Sequence, residues 1–336
     1  MPRHALISPP HERLSLQEST LASAMLHKLG DATIRYTLQG GDRIHTAPRV
    51  DREDFSQLTE EFARDPKESL AWARESLIAI SEDSRLSESE KSSRLDRYLD
   101  AYADLTLKLD HEAFPPSESI QMGIPEYIPD GFVDMGGEAS THIGKRSREM
   151  IKVDKAAIFD RYKPLLKNMF SRNYEGLSSD QKKRAMFTEL NWGVFNEIPY
   201  NADHGMKGVV NLGEVSEGQC RHIALTFQVL AQAVGLTSRL LKCNSFIEDE
   251  EGKLQGGRHA ANMVRVNSKW FILDPTNPDY ERKNGSFEGK LGIVPIDRPP
   301  QKGEFRSYEH TMHYSGKRRR YITHNDAYWF IDQEGS

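Results

Sequence analysis

The chain has 336 residues, which is long for one ordinary core, so two domains are the default expectation. Hydrophobic residues make up 37% and charged residues 28%, a soluble and rather polar composition, and a formal net charge of −5 leaves no basic footprint for nucleic acid. Two cysteines make neither a disulfide framework nor a zinc spacing, and no window approaches the apolar length of a membrane span.

The first third reads as helical. Ser15 to Leu29 has apolar residues at helical spacing and stops at Gly30. Asp51 to Ala63 carries a stripe of Phe55, Leu58 and Phe62. Asp65-Pro66 breaks it and starts a helix with Leu70, Trp72, Leu77 and Ile80. Ser87, with Glu90 three residues on, resembles a helix start, and Leu95, Tyr98, Leu99, Tyr102, Leu105 and Leu109 follow on one face. Residues 1–112 are therefore expected to form a helical domain. Pro115, Pro116, Pro125 and Pro129 interrupt the next stretch, and 113–149 reads as a linker or ordered loop.

From about residue 150 the pattern changes. Helices are expected over Ala156–Phe170 and Ser179–Ile198, the second with Met186, Leu190, Val194 and Ile198 at steps of four. Cys220 follows a Gly-containing loop, and Ile223, Ala224, Phe227, Leu230, Ala231 and Val234 then share a helix face that ends before Gly235. Strand-like runs follow at Ser238–Leu241, Ala260–Val266 and Lys269–Leu273, and more weakly at Arg320–Thr323 and Tyr328–Ile331. Helices followed by strands give an α+β domain over 150–336.

Three residues in this region carry chemistry. Cys220 sits at a helix start, where free N–H groups and the positive dipole end favour a thiolate and can hold an oxyanion. Ser216-Glu217-Gly218-Gln219 before it and Arg221-His222 after it are too polar for a merely buried apolar thiol. Cys243, among Leu240, Leu241 and Phe246, reads as structural. Asn267-Ser268 can form a two-residue hairpin turn. Val266 then pairs with Lys269 and Asp274 falls opposite Ala261, which points to the same face as His259. Asp274 becomes a diagonal same-face neighbour of His259, within reach of a carboxylate–imidazole hydrogen bond.

The remaining features are weaker. Lys317-Arg318-Arg319-Arg320 reads as a solvated loop or strand edge, with a partner-binding patch as the alternative. Glu248-Asp249-Glu250-Glu251-Gly252 reads as a solvated hairpin tip. His310 and His313 lack acidic or Cys partners at supporting spacing, so neither a metal nor a cofactor is expected. Met1 to Leu14 lack the apolar run of a signal peptide. The cytoplasm, or export by a route without a conventional signal, fits that reading and the cysteine usage.

At Gly218-Gln219-Cys220, Gly235-Leu236-Thr237-Ser238-Arg239, Gly257-Arg258-His259 and Trp270 through Leu273-Asp274-Pro275-Thr276 the sequence resembles the transglutaminase-like superfamily, a branch of the papain-like cysteine enzymes. Asn196-Glu197-Ile198-Pro199-Tyr200 is similar to that family's lead-in element. The resemblance covers about residues 180–280 and implies a papain/transglutaminase-like core: Cys on a helix N-terminus packed on an antiparallel sheet carrying His and Asp. It implies Cys220 as nucleophile, His259 as general base and then acid, and Asp274 as orienter of the imidazole. Oxyanion donors would be the Cys220 N–H and an upstream group, with Gln219, Asn211 and Trp192 as candidates. Arg221-His222 depart from many relatives, in which small or acidic residues often follow the Cys.

The expected function is acyl transfer from an amide of a protein or peptide through a Cys thioester, with water as acceptor (peptidase, amidase or deamidase). The alternatives are a protein-glutamine transglutaminase with an amine acceptor and a non-catalytic binding module that retains the fold. The expected partner is a protein or peptide substrate, with no nucleic acid and no membrane. Oligomeric state is left open.

Overall fold

The computed structural model describes residues 77–333 except 79, 124, 137, 142–143, 148, 173, 175, 202–207, 249–250, 277–279, 284–285, 290–292, 302, 312–315 and 325–326. The helices expected before residue 66 lie outside the described residues. Of the one expected after Pro66, Leu77 and Ile80 are described, and both are buried.

Helix α1 (Glu88–Ala113) begins with a full capping box. Ser87 accepts from the Glu90 N–H at 3.3 Å while Glu90 takes the Ser87 N–H at 2.9 Å, so two otherwise orphaned donors are satisfied. Its expected stripe is buried in full, and Tyr102 donates to the Ala233 carbonyl at 2.6 Å. This helix shares one continuous apolar core with the Cys220 region and does not form a separate cluster.

Residues 113–149, read from sequence as a linker or ordered loop, carry strands: β1 (Ser117–Met122), β2 (Phe132–Asp134), β3 (Glu138–Thr141) and β4 (Gly144–Ser147). The prolines fall outside these strands, Pro115 and Pro116 before β1 and Pro125 and Pro129 between β1 and β2, where a missing N–H costs no ladder bond. Next come β5 (Met150–Lys152), α2 (Lys155–Ser171), α3 (Ser179–Glu197), β6 (Val209–Asn211) and a 3-10 turn at Leu212–Glu214. Helix α4 (Cys220–Ala233) ends on Gly235, whose φ of +75° supplies the left-handed stop expected there. The chain then continues as β7 (Ser238–Glu248), β8 (Leu254–Val266), β9 (Lys269–Leu273), β10 (Tyr280–Lys283), β11 (Ser286–Gly289), β12 (Ile293–Ile296), β13 (Ser307–Thr311), β14 (Arg318–Thr323) and β15 (Tyr328–Ile331).

Helix and sheet are thus mixed. A six-stranded antiparallel sheet runs β12-β9-β8-β7-β14-β13, and a five-stranded sheet runs β1-β15-β2-β5-β6. The 266/269 hairpin has the register derived from sequence, with Val266 opposite Lys269 and Asn262 opposite Leu273. Asn267 takes φ +54°, a left-handed turn geometry that asparagine tolerates. Alternate residues of β8 serve two cores. Ala260, Val264 and Val266 join the large cluster with α4, while Ala261 and Met263 join a smaller one with Ile272, Val294, Ile296 and Tyr321.

Buried polar residues link the layers. Lys155 Nζ lies 2.7 Å from Asp110 Oδ2 and 2.9 Å from the Tyr127 hydroxyl. Asp110 also accepts from Tyr127 at 2.7 Å and from the Asp130 N–H at 2.8 Å. These bonds join α1, the loop before β2 and the start of α2. Asn262 Nδ2 donates to the Ala224 carbonyl at 3.1 Å, which fixes α4 on β8.

Candidate active site

Cys220 is the first residue of α4, and only 6% of its surface is exposed. Its polar neighbours do not hold it at the surface, as the sequence had suggested. Arg221 and His222 are buried too, because each is paired. Arg221 Nη2 donates to the Glu149 carboxylate at 2.8 Å and to its carbonyl at 2.9 Å. His222 Nδ1 accepts the Gln219 N–H at 3.1 Å, leaving Nε2 3.6 Å from Glu149. The polar first turn is therefore an internal clamp between α4 and the strand before α2. Gly136, with φ +75°, lets Arg221 through, since a Cβ there would lie 2.5 Å from Nη1.

His259 and Asp274 meet as the register requires. His259 Nε2 lies 2.8 Å from Asp274 Oδ2. Asp274 is ionised, so Nε2 carries the proton and donates. With Nε2 occupied, Nδ1 is the ring nitrogen left for the Cys220 thiol, whose ionisation His259 favours. The Ala260 N–H also favours the Cys220 thiolate. Cys220, His259 and Asp274 are thus electrostatically coupled, with the His259–Asp274 hydrogen bond at the centre.

The electrostatics suit a thiolate–imidazolium pair. Burial pushes the Cys220 thiol up, but the His259 hydrogen bond and charge, the Ala260 N–H and the nearby Lys242 ammonium bring it down to about 7. Burial pushes His259 down, but the Asp274 charge and hydrogen bond, aided by Cys220, raise it to about 10. Asp274 is held well below the usual carboxylate range. Burial opposes this, but His259, Arg319 and Thr276 outweigh it. Cys243 behaves oppositely: burial raises its thiol, and Asp274 and Cys220 raise it further. It is a fully buried strand residue opposite His259.

Residues that the sequence reading did not single out complete the site. Lys242 lies opposite Ala260 on β7, with Nζ 2.5 Å from Asp134 Oδ2. Asp134 also faces Arg221 Nη1 at 3.7 Å and accepts the Gly136 N–H at 3.0 Å. Arg319 Nη1 donates to Asp274 Oδ2 at 2.9 Å, and the Tyr321 hydroxyl donates to the same oxygen at 3.2 Å. The basic run is therefore only partly a solvated strand edge: Arg318 is exposed, but Arg319 points inward. The signal was available, because Arg319, Tyr321 and Thr323 alternate at the strand period.

The three oxyanion candidates are placed differently. Gln219 caps α4 directly before Cys220 and is half-buried. Asn211 caps the 3-10 turn through Gly213 and donates to Asp154 Oδ2 at 3.1 Å, so its amide is engaged with the start of α2. Trp192 lies on α3, edge-on to Phe195. His313, Asp249 and Glu250 lie outside the described residues, and among the described residues no group of His, Cys, Asp and Glu could hold a metal ion. None of the described helices is long and apolar enough to cross a membrane.

A family described as EDR1/CTR1/ARMC3, peptidase-like, matches residues 174–275. That span runs from the residues before α3 to just past Asp274 and contains Cys220 and His259, so the similarity to a peptidase-like domain falls on the part of the fold that builds the site. The match stops short of β14. No curated protein matches the chain.

Proposed function

We propose that this chain is a thiol-dependent acyl-transfer enzyme that cleaves an amide of a protein or peptide through a Cys220 thioester, with water as acceptor. We further propose that its core is of the papain/transglutaminase-like kind. One observation carries the reading: an imidazole held 2.8 Å from a buried carboxylate acts on the thiol of a cysteine at a helix N-terminus and lowers its pKa. The similarity of residues 174–275 to a peptidase-like family points the same way.

The steps follow from the geometry. The Cys220 thiolate attacks the amide carbon, and the carbonyl electron pair moves to oxygen. The Cys220 N–H, free of any intrahelical partner at this position, faces that oxyanion. The intermediate collapses by breaking the C–N bond, and the leaving nitrogen takes the Nδ1 proton of His259. A thioester, a free amine and a neutral imidazole result. His259 then takes a proton from water, hydroxide attacks the thioester, and the C–S bond breaks to release the acid and restore the thiolate–imidazolium pair. Asp274 keeps Nε2–H directed toward itself throughout, so Nδ1 is always the working nitrogen.

The test is mass spectrometry of a lysate incubated with the full chain or with Cys220→Ala, with and without a labelled amine. New peptide N-termini, or glutamines converted to glutamates, that depend on Cys220 support hydrolysis. Cys220-dependent incorporation of the amine would overturn water as the preferred acceptor. No Cys220-dependent change of any kind counts against catalysis.

A further inference from the structure

The thiol chemistry above gives no work to β14, although two of its side chains touch the site. Arg319 is 4% exposed and Tyr321 3%. Asp274 Oδ2 receives three donors: His259 at 2.8 Å, Arg319 at 2.9 Å and Tyr321 at 3.2 Å. Its other oxygen takes the Thr276 hydroxyl at 2.6 Å and N–H at 3.1 Å. A carboxylate shared in this way pulls less on each donor than an unshared one. That matters for a general acid, which must be protonated and must also let go. An imidazolium facing an unshared buried carboxylate holds its proton too tightly to pass it to a leaving nitrogen.

We propose that Arg319 is a positioning residue of this site, assisted by Tyr321: it fixes Asp274 Oδ2 opposite His259 Nε2 and withdraws part of the carboxylate charge, so that the imidazolium can release its Nδ1 proton. The inference rests on the thioester reading. Arg319 acts through Asp274 and not on the reacting atoms. Among the described residues, the charged and titratable groups around this centre include His259 and Asp274 themselves, Cys220 and Arg221 on α4, Lys242 and Cys243 on β7, Asp134 on β2 paired with Lys242, and Arg319 and Tyr321 on β14. With Cys220 as thiolate and His259 as imidazolium, Cys220, His259, Asp274 and Arg319 sum to zero charge. Without Arg319 the same group is one charge negative, which favours the protonated imidazole.

The experiment needs no substrate. Carbamidomethylation of Cys220 in the full chain is followed against pH with iodoacetamide and read on the Cys220 peptide. The wild type should show a lower limb as the thiol ionises and an upper limb as His259 loses its proton. Arg319→Gln should move the upper limb up by about one pH unit or more, with little change in the lower limb. Arg319→Lys keeps the charge and should bring the upper limb most of the way back. Tyr321→Phe should move it in the same direction by less. A folded Arg319→Gln protein with its upper limb in place overturns the proposal, as does Arg319→Lys displaced as far as Arg319→Gln. If circular dichroism shows that Arg319→Gln does not fold, Tyr321→Phe decides: an upward shift supports the proposal and an unmoved limb overturns it. A wild type that labels Cys220 no faster than Cys243 sinks the thiol reading, and this inference with it.

Discussion

Replacing Asp274 by Asn removes the charge that keeps His259 protonated while preserving the size of the side chain. The carboxylate oxygen is 2.8 Å from Nε2, which puts the charge centres about 4 Å apart and their interaction at about 4 kcal/mol for an effective dielectric of 20. That is about three pH units on the imidazole. Arg319, left without its counter-ion, acts in the same direction. His259 should therefore fall from about 10 to about 7. The thiol then loses its cationic partner in the very range where it titrates, so it moves up from about 7. In the wild type the thiolate fraction grows as pH rises through about 7, and the pair persists until His259 deprotonates near 10. In Asp274→Asn that window closes, and iodoacetamide labelling of Cys220 at pH 7 to 8 should drop about tenfold or more. Peptide mass spectrometry of timed aliquots from pH 5 to 10 gives the curve, with thermal unfolding as the control for folding. A folded variant whose curve overlays the wild type would refute the argument that Asp274 sustains the pair.

Lys242→Met removes the ammonium beside Cys220, so labelling at pH 7 should fall about threefold, measured on the same peptide; an unchanged rate would remove Lys242 from the site. Lys155→Met leaves Asp110 buried without its cation and should cost about 3–5 kcal/mol in urea unfolding, because a broken buried pair strands a charge. Gly136→Ala puts a Cβ against Arg221 and the Glu149 carbonyl at a positive φ, and should lower stability by about 1–3 kcal/mol in the same assay; wild-type stability would argue against the clamp. Cys220→Ala should abolish labelling near pH 6 while the melting temperature stays within a few degrees, since the thiol occupies one position at a helix end.

The parts legible in the sequence were those set by local geometry. The 266/269 hairpin register follows from a two-residue turn, and it brings His259 to Asp274 before any fold is known. The Ser87 and Asn267 positions and the Gly235 stop are likewise local chemistry. What the sequence hid was burial of charge. A composition-based reading places Arg221, Lys242 and Arg319 outside, because isolated charges avoid cores. Their partners are distant in sequence: Glu149 for Arg221, Asp134 for Lys242 and Asp274 for Arg319. The strands of 117–134 were hidden for a related reason, since β1 and β2 are completed by β15 from the far end of the chain.

That long-range closure bears on the chemistry. β14 extends the sheet that packs on α4 and supplies two of the donors on Asp274, so residues near 130, 220, 260 and 320 meet around the site. A segment ending at Asp274 would keep Cys220, His259 and Asp274, yet it would lack the Arg319 charge that Asp274 shares. On the proposed reading, the three residues readable from motifs build the thiolate pair, and β14 sets how readily that pair gives up its proton.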